Sequence, residues 1–539
     1  MAAQDIWDFV VVGAGAAGCV LANRLSASGE FRVLVLEAGG PDNKVWIKVP
    51  AGFTRTLFDP AIGWGYANAP SPGTANRTIP CPRGRVLGGS SSINGHLFVR
   101  GQAADYEDWV ALGASGWGWE DVLPYFKRAE HRAGGDEAVR GREGPLEVTD
   151  PRLQHPLCKV FFRAMQEAGH GPNPDYNAGR QEGYGFYQYL TKNGRRWSAA
   201  DAYLRPAMRR SNNLEVRTHA QVARVLFEGK VASGVEYRQG GSLHRVNARR
   251  EVILAGGAIN SPQLLQLSGV GDPELLRKHA IPLVHAAPGV GENLSDHYAV
   301  RIASRVRGMQ SLNELTRGPR LALEVLKYLL ARKGVLTSAV AHAFGFIRSN
   351  DSLTRPDVQL LVAPASYEQG KVGQGVMERL PGISIGVTQL RPYSRGHVRV
   401  VYSDPFAPPE IQPNYLADAR DMESVLGGIR FVRKLLATHA FEAVVESETW
   451  PGAKAASDEQ LAEFVRTTGS TIYHPVGSCR MGGPDAGAPL DPQLRVRGLR
   501  GLRVIDASAM PSMVSGNTYA ATIMLAEKGA DCVLQDARV

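Results

Sequence analysis

Phe9-Val10-Val11-Val12-Gly13-Ala14-Gly15-Ala16-Ala17-Gly18 is followed by an Ala- and Leu-rich stretch to about Ser26 and then by Val33-Leu34-Val35-Leu36-Glu37. A short run of β-formers, a glycine turn, a helical pattern and a second apolar run read as strand, turn, helix, strand. Each glycine has a task. Gly13 permits the turn, Gly15 lets the backbone approach a pyrophosphate, and Gly18 allows the helix to pack closely on the strand, so that helix N-terminal amides face the phosphates. Glu37, closing the second strand, supplies the carboxylate that accepts bonds from ribose hydroxyls and would repel a 2′-phosphate, which disfavours NADP. The alternative is a glycine-rich turn without a nucleotide, but the complete unit on both sides of the turn argues against it.

Outward from this unit, 539 residues exceed one usual core, so two packed domains built from discontinuous segments are expected. The apolar fraction of 44% and charged fraction of 21% fit a globular chain, and 60 Gly with 33 Pro announce many turns. The net charge of +9 comes from scattered Lys and Arg without a zinc-finger or RNA-binding signature, which argues against a nucleic-acid partner. Five cysteines, at 19, 81, 158, 479 and 532, form no CxxC pair, so neither a disulfide framework nor a redox dithiol is expected, and a reducing compartment is favoured. The start MAAQDIWDF lacks the pattern of a secretory signal, and no apolar run reaches 18 residues, so a cytoplasmic location is expected. Leu321–Leu330 places Leu and Val on one face between Arg320, Lys327, Arg332 and Lys333. That pattern predicts an amphipathic helix lying over the core, with a peripheral membrane contact as the alternative. No metal-ligand spacing stands out.

The first glycine motif does not separate FAD from NAD, and the absence of a second GxGxxG disfavours a paired flavin and nicotinamide architecture. Two further segments bear on the choice. Gly84–Gly95 reads GRVLGGSSSING, rich in backbone amides and poor in side-chain bulk, which suits a flat ring or phosphates lying on the chain. Gly257–Gly271 reads GAINSPQLLQLSGVG and follows the apolar run Val252–Ala255. In order and spacing these two resemble the signature patterns of the glucose-methanol-choline (GMC) oxidoreductases. The resemblance extends to YHPVGSCRMG at 473–482 and to the segment 502–531, and so spans the chain.

The resemblance implies an α/β chain: a Rossmann-like FAD-binding domain (1–155, 215–300 and 480–539) roofed by a substrate domain on an antiparallel sheet (156–214 and 301–479). It implies that Gly13, Gly15, Ala16 and Gly18 hold the pyrophosphate, Glu37 and Ala38 the adenine ribose, and Val222 the adenine edge. Arg85, Val86, Gly88, Gly89, Asn94 and Gly95 would run along the flavin, with Ala255, Asp506 and Ala507 near the pyrophosphate and ribityl chain and Thr518 near the pyrimidine side. Pro- and Gly-rich stretches such as 364–396 read as surface loops of the roof.

Alcohol oxidation needs a base for the hydroxyl proton, and imidazole suits that task at neutral pH. His474 stands out among 13 histidines by its fixed setting between Tyr473 and Pro475. The resemblance makes His474 the base and Asn517 its amide partner, able to donate to the alcohol oxygen without competing for its proton; Tyr473 would touch substrate. Asn517 could instead be a turn residue after Gly516. Cys479 reads as a packed thiol, since hydride chemistry needs no nucleophile. Ile93 stands where some family members carry the histidine that binds flavin covalently, which implies non-covalent FAD, and His96 is displaced by three. The implied reaction is oxidation of a primary alcohol to its aldehyde, with electrons passing to a quinone or another acceptor. An oxygen-using oxidase and a hydroxynitrile lyase are the rivals.

Overall fold

The computed structural model describes residues 6–368, 375–484 and 487–538. The opening run forms the strand Ile6–Val12, the helix Ala16–Leu25 and the strand Val33–Leu36. The two strands pair in parallel, Phe9 opposite Val33 through Val12 opposite Leu36, and Phe9–Val12 and Val33–Leu36 are buried throughout, as a sheet covered on both faces requires. Leu214–Arg217 adds in parallel beyond Val33–Leu36, and Ser242–Leu254 beside Ile6–Val12. Leu502–Val504 pairs in parallel with the end of Ser242–Leu254, whereas Val231–Gln239 and Gln221–Glu228 continue the sheet antiparallel. Five parallel strands therefore end at Arg217, Leu36, Val12, Leu254 and Val504 along one edge, the place where open α/β sheets bind ligands.

A second, antiparallel sheet supplies the roof. Its strands run in the order Val445–Trp450, Tyr298–Val306, Gly382–Gln389, Val358–Ala363, Ala343–Ile347, Gly183–Phe186. Each sheet has its own apolar core. The segment 156–214, expected in the roof, is divided: Leu157 and Phe161 lie in the core of the roof, but Tyr203 and Leu204 in that of the nucleotide sheet. We propose the division given above with residues 199–204 moved to the nucleotide-binding side.

Two expectations are corrected. The stretch 364–396 is not all surface loop, because it contains Gly382–Gln389, a central roof strand buried at every position; residues 369–374 lie outside the described residues. The helix expected at Leu321–Leu330 forms, as Gly318–Ala331, but it does not lie with its leucines over the core. Only Glu324 and Tyr328 are buried, whereas Leu323, Leu326, Leu329 and Leu330 are exposed. Among the described residues no helix is long and apolar enough to cross a membrane, and no cluster of His, Cys, Asp and Glu could hold a metal ion.

Candidate active site

Between the two sheets lies a cavity of about 680 Å³, and the carboxyl ends of the parallel strands form one end of its wall through Gly13, Glu37, Ala38, Ala255, Asp506 and Ala507. Gly18 does not face it; a Cβ there would stand 1.8 Å from the carbonyl oxygen of Gly13, so this glycine lets the helix Ala16–Leu25 sit on the turn. Gly13 has φ +105°, which side chains rarely adopt. A Cβ on Gly15 would instead meet nothing nearer than Ala255 O at 4.0 Å and would take up space in the cavity. The helix begins there without a side-chain cap, so its first amides are open to a ligand. This end of the cavity fits the pyrophosphate of a dinucleotide, and Val222 lines the wall beyond Glu37.

The two carboxylates at this end also hold the cradle together. Glu37 accepts from Ala14 N and Gly39 N, both at 2.8 Å, and so braces the glycine turn. Asp506 accepts from Gly257 N at 2.8 Å, Ser261 Oγ at 2.5 Å and the amide and hydroxyl of Ser508. It thereby ties the helix Gly257–Leu267 of the second motif to the end of Leu502–Val504. Burial pushes both carboxyls up, against the pull of these donors.

Ala16 lines the cavity beside Gly13 and Gly15, and Gly89, Asn94, Gly95 and Thr518 line it farther along. Three residues expected along the flavin do not line it. Arg85 bonds Gln221 at 3.0 Å and lies over Trp64, Val86 is fully buried in a small core, and Gly88 donates its amide to Ala14 O at 2.8 Å, joining this loop to the first glycine turn. Ile93 and His96 both face the cavity, His96 with neither ring nitrogen hydrogen-bonded and its pKa driven well down by burial.

At the other end stand His474 and Asn517, held together by bonds that fix which nitrogen of each histidine carries hydrogen. His297 Nε2 lies 2.9 Å from the Leu390 carbonyl, which can only accept, so in the neutral ring this nitrogen is N–H and Nδ1 is an acceptor. His474 Nδ1, 3.0 Å from His297 Nδ1, must then be the donor. The remaining nitrogen, His474 Nε2, carries no hydrogen, and its lone pair accepts from Asn517 Nδ2 at 3.1 Å. Both rings are neutral: burial, then the adjoining His297 and the Arg83 guanidinium push His474 well below the ordinary histidine range, and burial takes His297 to about 4.

The backbone around this pair is equally constrained. Asp296 Oδ1 accepts from His297 N at 2.9 Å and His474 N at 2.8 Å, and its other oxygen accepts from Thr471 Oγ1 and the Tyr415 hydroxyl. Tyr473, which lines the cavity next to His474, has φ +73°, a strained setting for an aromatic residue. Asn517 is not a bare turn residue: Gln359 Nε2 is 3.5 Å from its Oδ1 and itself bonds Tyr187, which turns the amide hydrogens toward His474. Thr518 stands at the N-terminus of the helix Tyr519–Ala537 without a side-chain cap, so the positive end of this helix faces the cavity. Cys479 is fully buried, as expected of a packed thiol. His297, Asp296 and Gln359 were not singled out from sequence; His297 is 177 residues from His474, and no local spacing links them.

The class of protein that this fold and cavity define is an oxidoreductase with a dinucleotide cofactor, and comparison with known proteins gives the family. Models of the N- and C-terminal parts of GMC oxidoreductases match residues 7–299 and 392–526, and the chain belongs to that family. It is 42% identical to human mitochondrial choline dehydrogenase, over 98% of this chain and 90% of the relative. It is 39% identical to the alcohol dehydrogenase [acceptor] of Pseudomonas putida, over 98% and 96%. Among solved structures, pyridoxine 4-oxidase from Mesorbium loti has a TM-score of 0.87 at 28% identity, covering 97% of this chain and 98% of that one. A formate oxidase variant from Aspergillus oryzae, studied for its FAD modification, has a TM-score of 0.92 at 25% identity, covering 99% of each. FAD is the cofactor that this family implies, and the glycine cradle at one end of the cavity fits its pyrophosphate.

Proposed function

We propose that the protein oxidises a primary alcohol to its aldehyde, with His474 as the general base and FAD held without a covalent bond. Bound FAD supplies the hydride acceptor. Gly13, Gly15, Ala16 and the opening amides of their helix hold its pyrophosphate, Glu37 and Ala38 the ribose, Val222 the adenine edge, and Gly89, Asn94, Gly95 and Thr518 flank the ring system. The observation that carries the reading is the chain from Leu390 O through His297 to His474, because it leaves an unprotonated Nε2 facing the cavity.

The alcohol hydroxyl gives its proton to His474 Nε2 while Asn517 Nδ2 donates to the same oxygen. As the C–H bond breaks and hydride departs, the oxygen's electron pair closes the carbonyl. Positive charge developing on the His474 ring strengthens its Nδ1–H bond to His297. Asn517 steadies the oxygen as it gains negative charge, and the end of the helix Tyr519–Ala537 adds to this. Ile93 offers no ring nitrogen for attachment, which supports dissociable FAD.

The electron acceptor has two candidates. Alcohol dehydrogenase [acceptor] among the relatives favours a quinone or similar carrier, and pyridoxine 4-oxidase among the structural neighbours favours oxygen. Mixing the FAD-loaded protein with primary alcohols under anaerobic conditions tests the reaction: the flavin absorbance should bleach, and re-oxidation by air against an added quinone should then identify the acceptor. A flavin that no alcohol bleaches would refute alcohol oxidation, and cleavage of a cyanohydrin without bleaching would favour a lyase.

A further inference from the structure

The roof strand Tyr298–Val306 begins directly after His297 and carries Ala299, Arg301 and Ala303 into the cavity wall. Arg301 therefore has only alanines beside it on its own strand face. Across the sheet it stands opposite Gly386, which offers no side chain to cover it. Among the described residues no carboxylate, carbonyl or hydroxyl accepts a hydrogen bond from its guanidinium; the Tyr367 ring lies 5.8 Å from the guanidinium carbon, and Tyr473 is close enough to interact.

The other charges on the wall have partners. Arg77 donates to the carbonyls of Arg466 and Gly469 and to the Tyr298 hydroxyl, and Arg83 to those of Pro82 and Tyr473. Glu37 and Asp506 are bonded to amides at the nucleotide end, and Glu368 is exposed and has a partner of its own. Arg301 is half-buried at the cavity wall, where a guanidinium without a counter-charge attracts an anion, and its planar fork matches a carboxylate through two parallel N–H···O bonds. Arg301 stands four positions beyond His297, about 13 Å along extended chain at 3.3 Å per residue. That spacing suits an anion several bonds removed from the reacting carbon.

Resting on the alcohol-oxidation reading, we infer that Arg301 selects alcohols bearing a carboxylate remote from the carbinol carbon, and disfavours a cationic alcohol such as choline. The trimethylammonium group would meet an uncompensated positive charge where an ω-hydroxycarboxylate finds a counter-ion.

The test uses FAD-loaded protein, a length series of straight-chain ω-hydroxycarboxylates, their methyl esters, the alkanols of equal length, and choline. Anaerobic flavin reduction should half-saturate at about tenfold lower concentration or less for the best acid than for its ester, the effect of one charge-assisted pair. Arg301→Gln should abolish that difference, and Arg301→Lys should restore part of it. A second readout is calorimetric binding of the corresponding alkanoate, which lacks a hydroxyl and cannot react; wild type should bind it and Arg301→Gln should not. Acid and ester reduced alike in both proteins, or an alkanoate bound equally by both, would overturn the inference and leave alcohol oxidation standing. Loss of FAD from Arg301→Gln with the acid-to-ester ratio unchanged would also overturn it, reassigning Arg301 to the cofactor. No reduction by any alcohol would overturn alcohol oxidation itself.

Discussion

His474 is useful because two groups outside its own motif decide where its hydrogen sits. With its pKa depressed, the neutral base form is complete at every pH above that lowered value and is lost only as pH falls through it. The limiting rate of anaerobic flavin reduction should therefore stay flat as pH is lowered past 6.5, the value an ordinary histidine would show as a half-fall. A half-fall near 6.5 would contradict the buried neutral ring. Replacing His297 by Phe keeps the bulk of the ring but removes the acceptor for His474 Nδ1 along with the donor to Leu390. The rate should drop about fivefold, the worth of one hydrogen bond of about 1 kcal/mol, and the inflection should move up toward the ordinary histidine range because the neighbouring imidazole is gone. A variant with the wild-type pH profile would remove His297 from the positioning of the base. At this scale the sequence was only half readable. His474 and Asn517 lie in motifs dense enough to recognise, whereas His297 acts through a contact that only the folded chain creates, and Arg301 is marked by the lack of a carboxylate partner among the described residues, which no local pattern encodes.

Among the elements, the first strand-turn-helix separates two uses of glycine. A Cβ at Gly18 would collide with the backbone of Gly13, so Gly18→Val should destabilise the fold with or without FAD. Gly15→Val should leave the FAD-free protein folded, since its Cβ meets open cavity, but should abolish flavin retention. Thermal unfolding and flavin content, measured on both variants, check this contrast; an intact, flavin-loaded Gly15→Val protein would refute the cradle. Glu37→Ala should weaken FAD binding by about 1–3 kcal/mol, through the lost ribose acceptor and the loosened brace on Ala14 and Gly39, and should hardly alter the chemical step at saturating FAD. These elements were legible because their signals are local: apolar runs, glycine spacing and a terminal acid. The roof was less so. Gly382–Gln389 follows a Pro- and Gly-rich approach that reads as loop, and the periodicity of Leu321–Leu330 gives a helix without saying whether its apolar face is covered.

At the scale of the whole molecule, the cavity is bounded by both sheets, with Glu37 and Asp506 on one side and Arg301 and His474 on the other. A cofactor bound across it joins two separate apolar cores. Adding FAD at about a hundredfold excess over its dissociation constant should stabilise the protein by about 2.7 kcal/mol, seen as a rise in melting temperature. The flavin should come away in the supernatant when the protein is denatured and precipitated; colour kept in the pellet would contradict non-covalent binding. The central claim, that His474 removes the hydroxyl proton while Asn517 only steadies the oxygen, is tested most directly by rapid-mixing flavin reduction in His474→Ala and Asn517→Ala at equal flavin content. General-base catalysis is worth about 10²–10⁴ in rate, so His474→Ala should slow bleaching by that order, with Asn517→Ala less impaired because water can replace part of what its amide donates. Bleaching of His474→Ala at the wild-type rate would contradict the account.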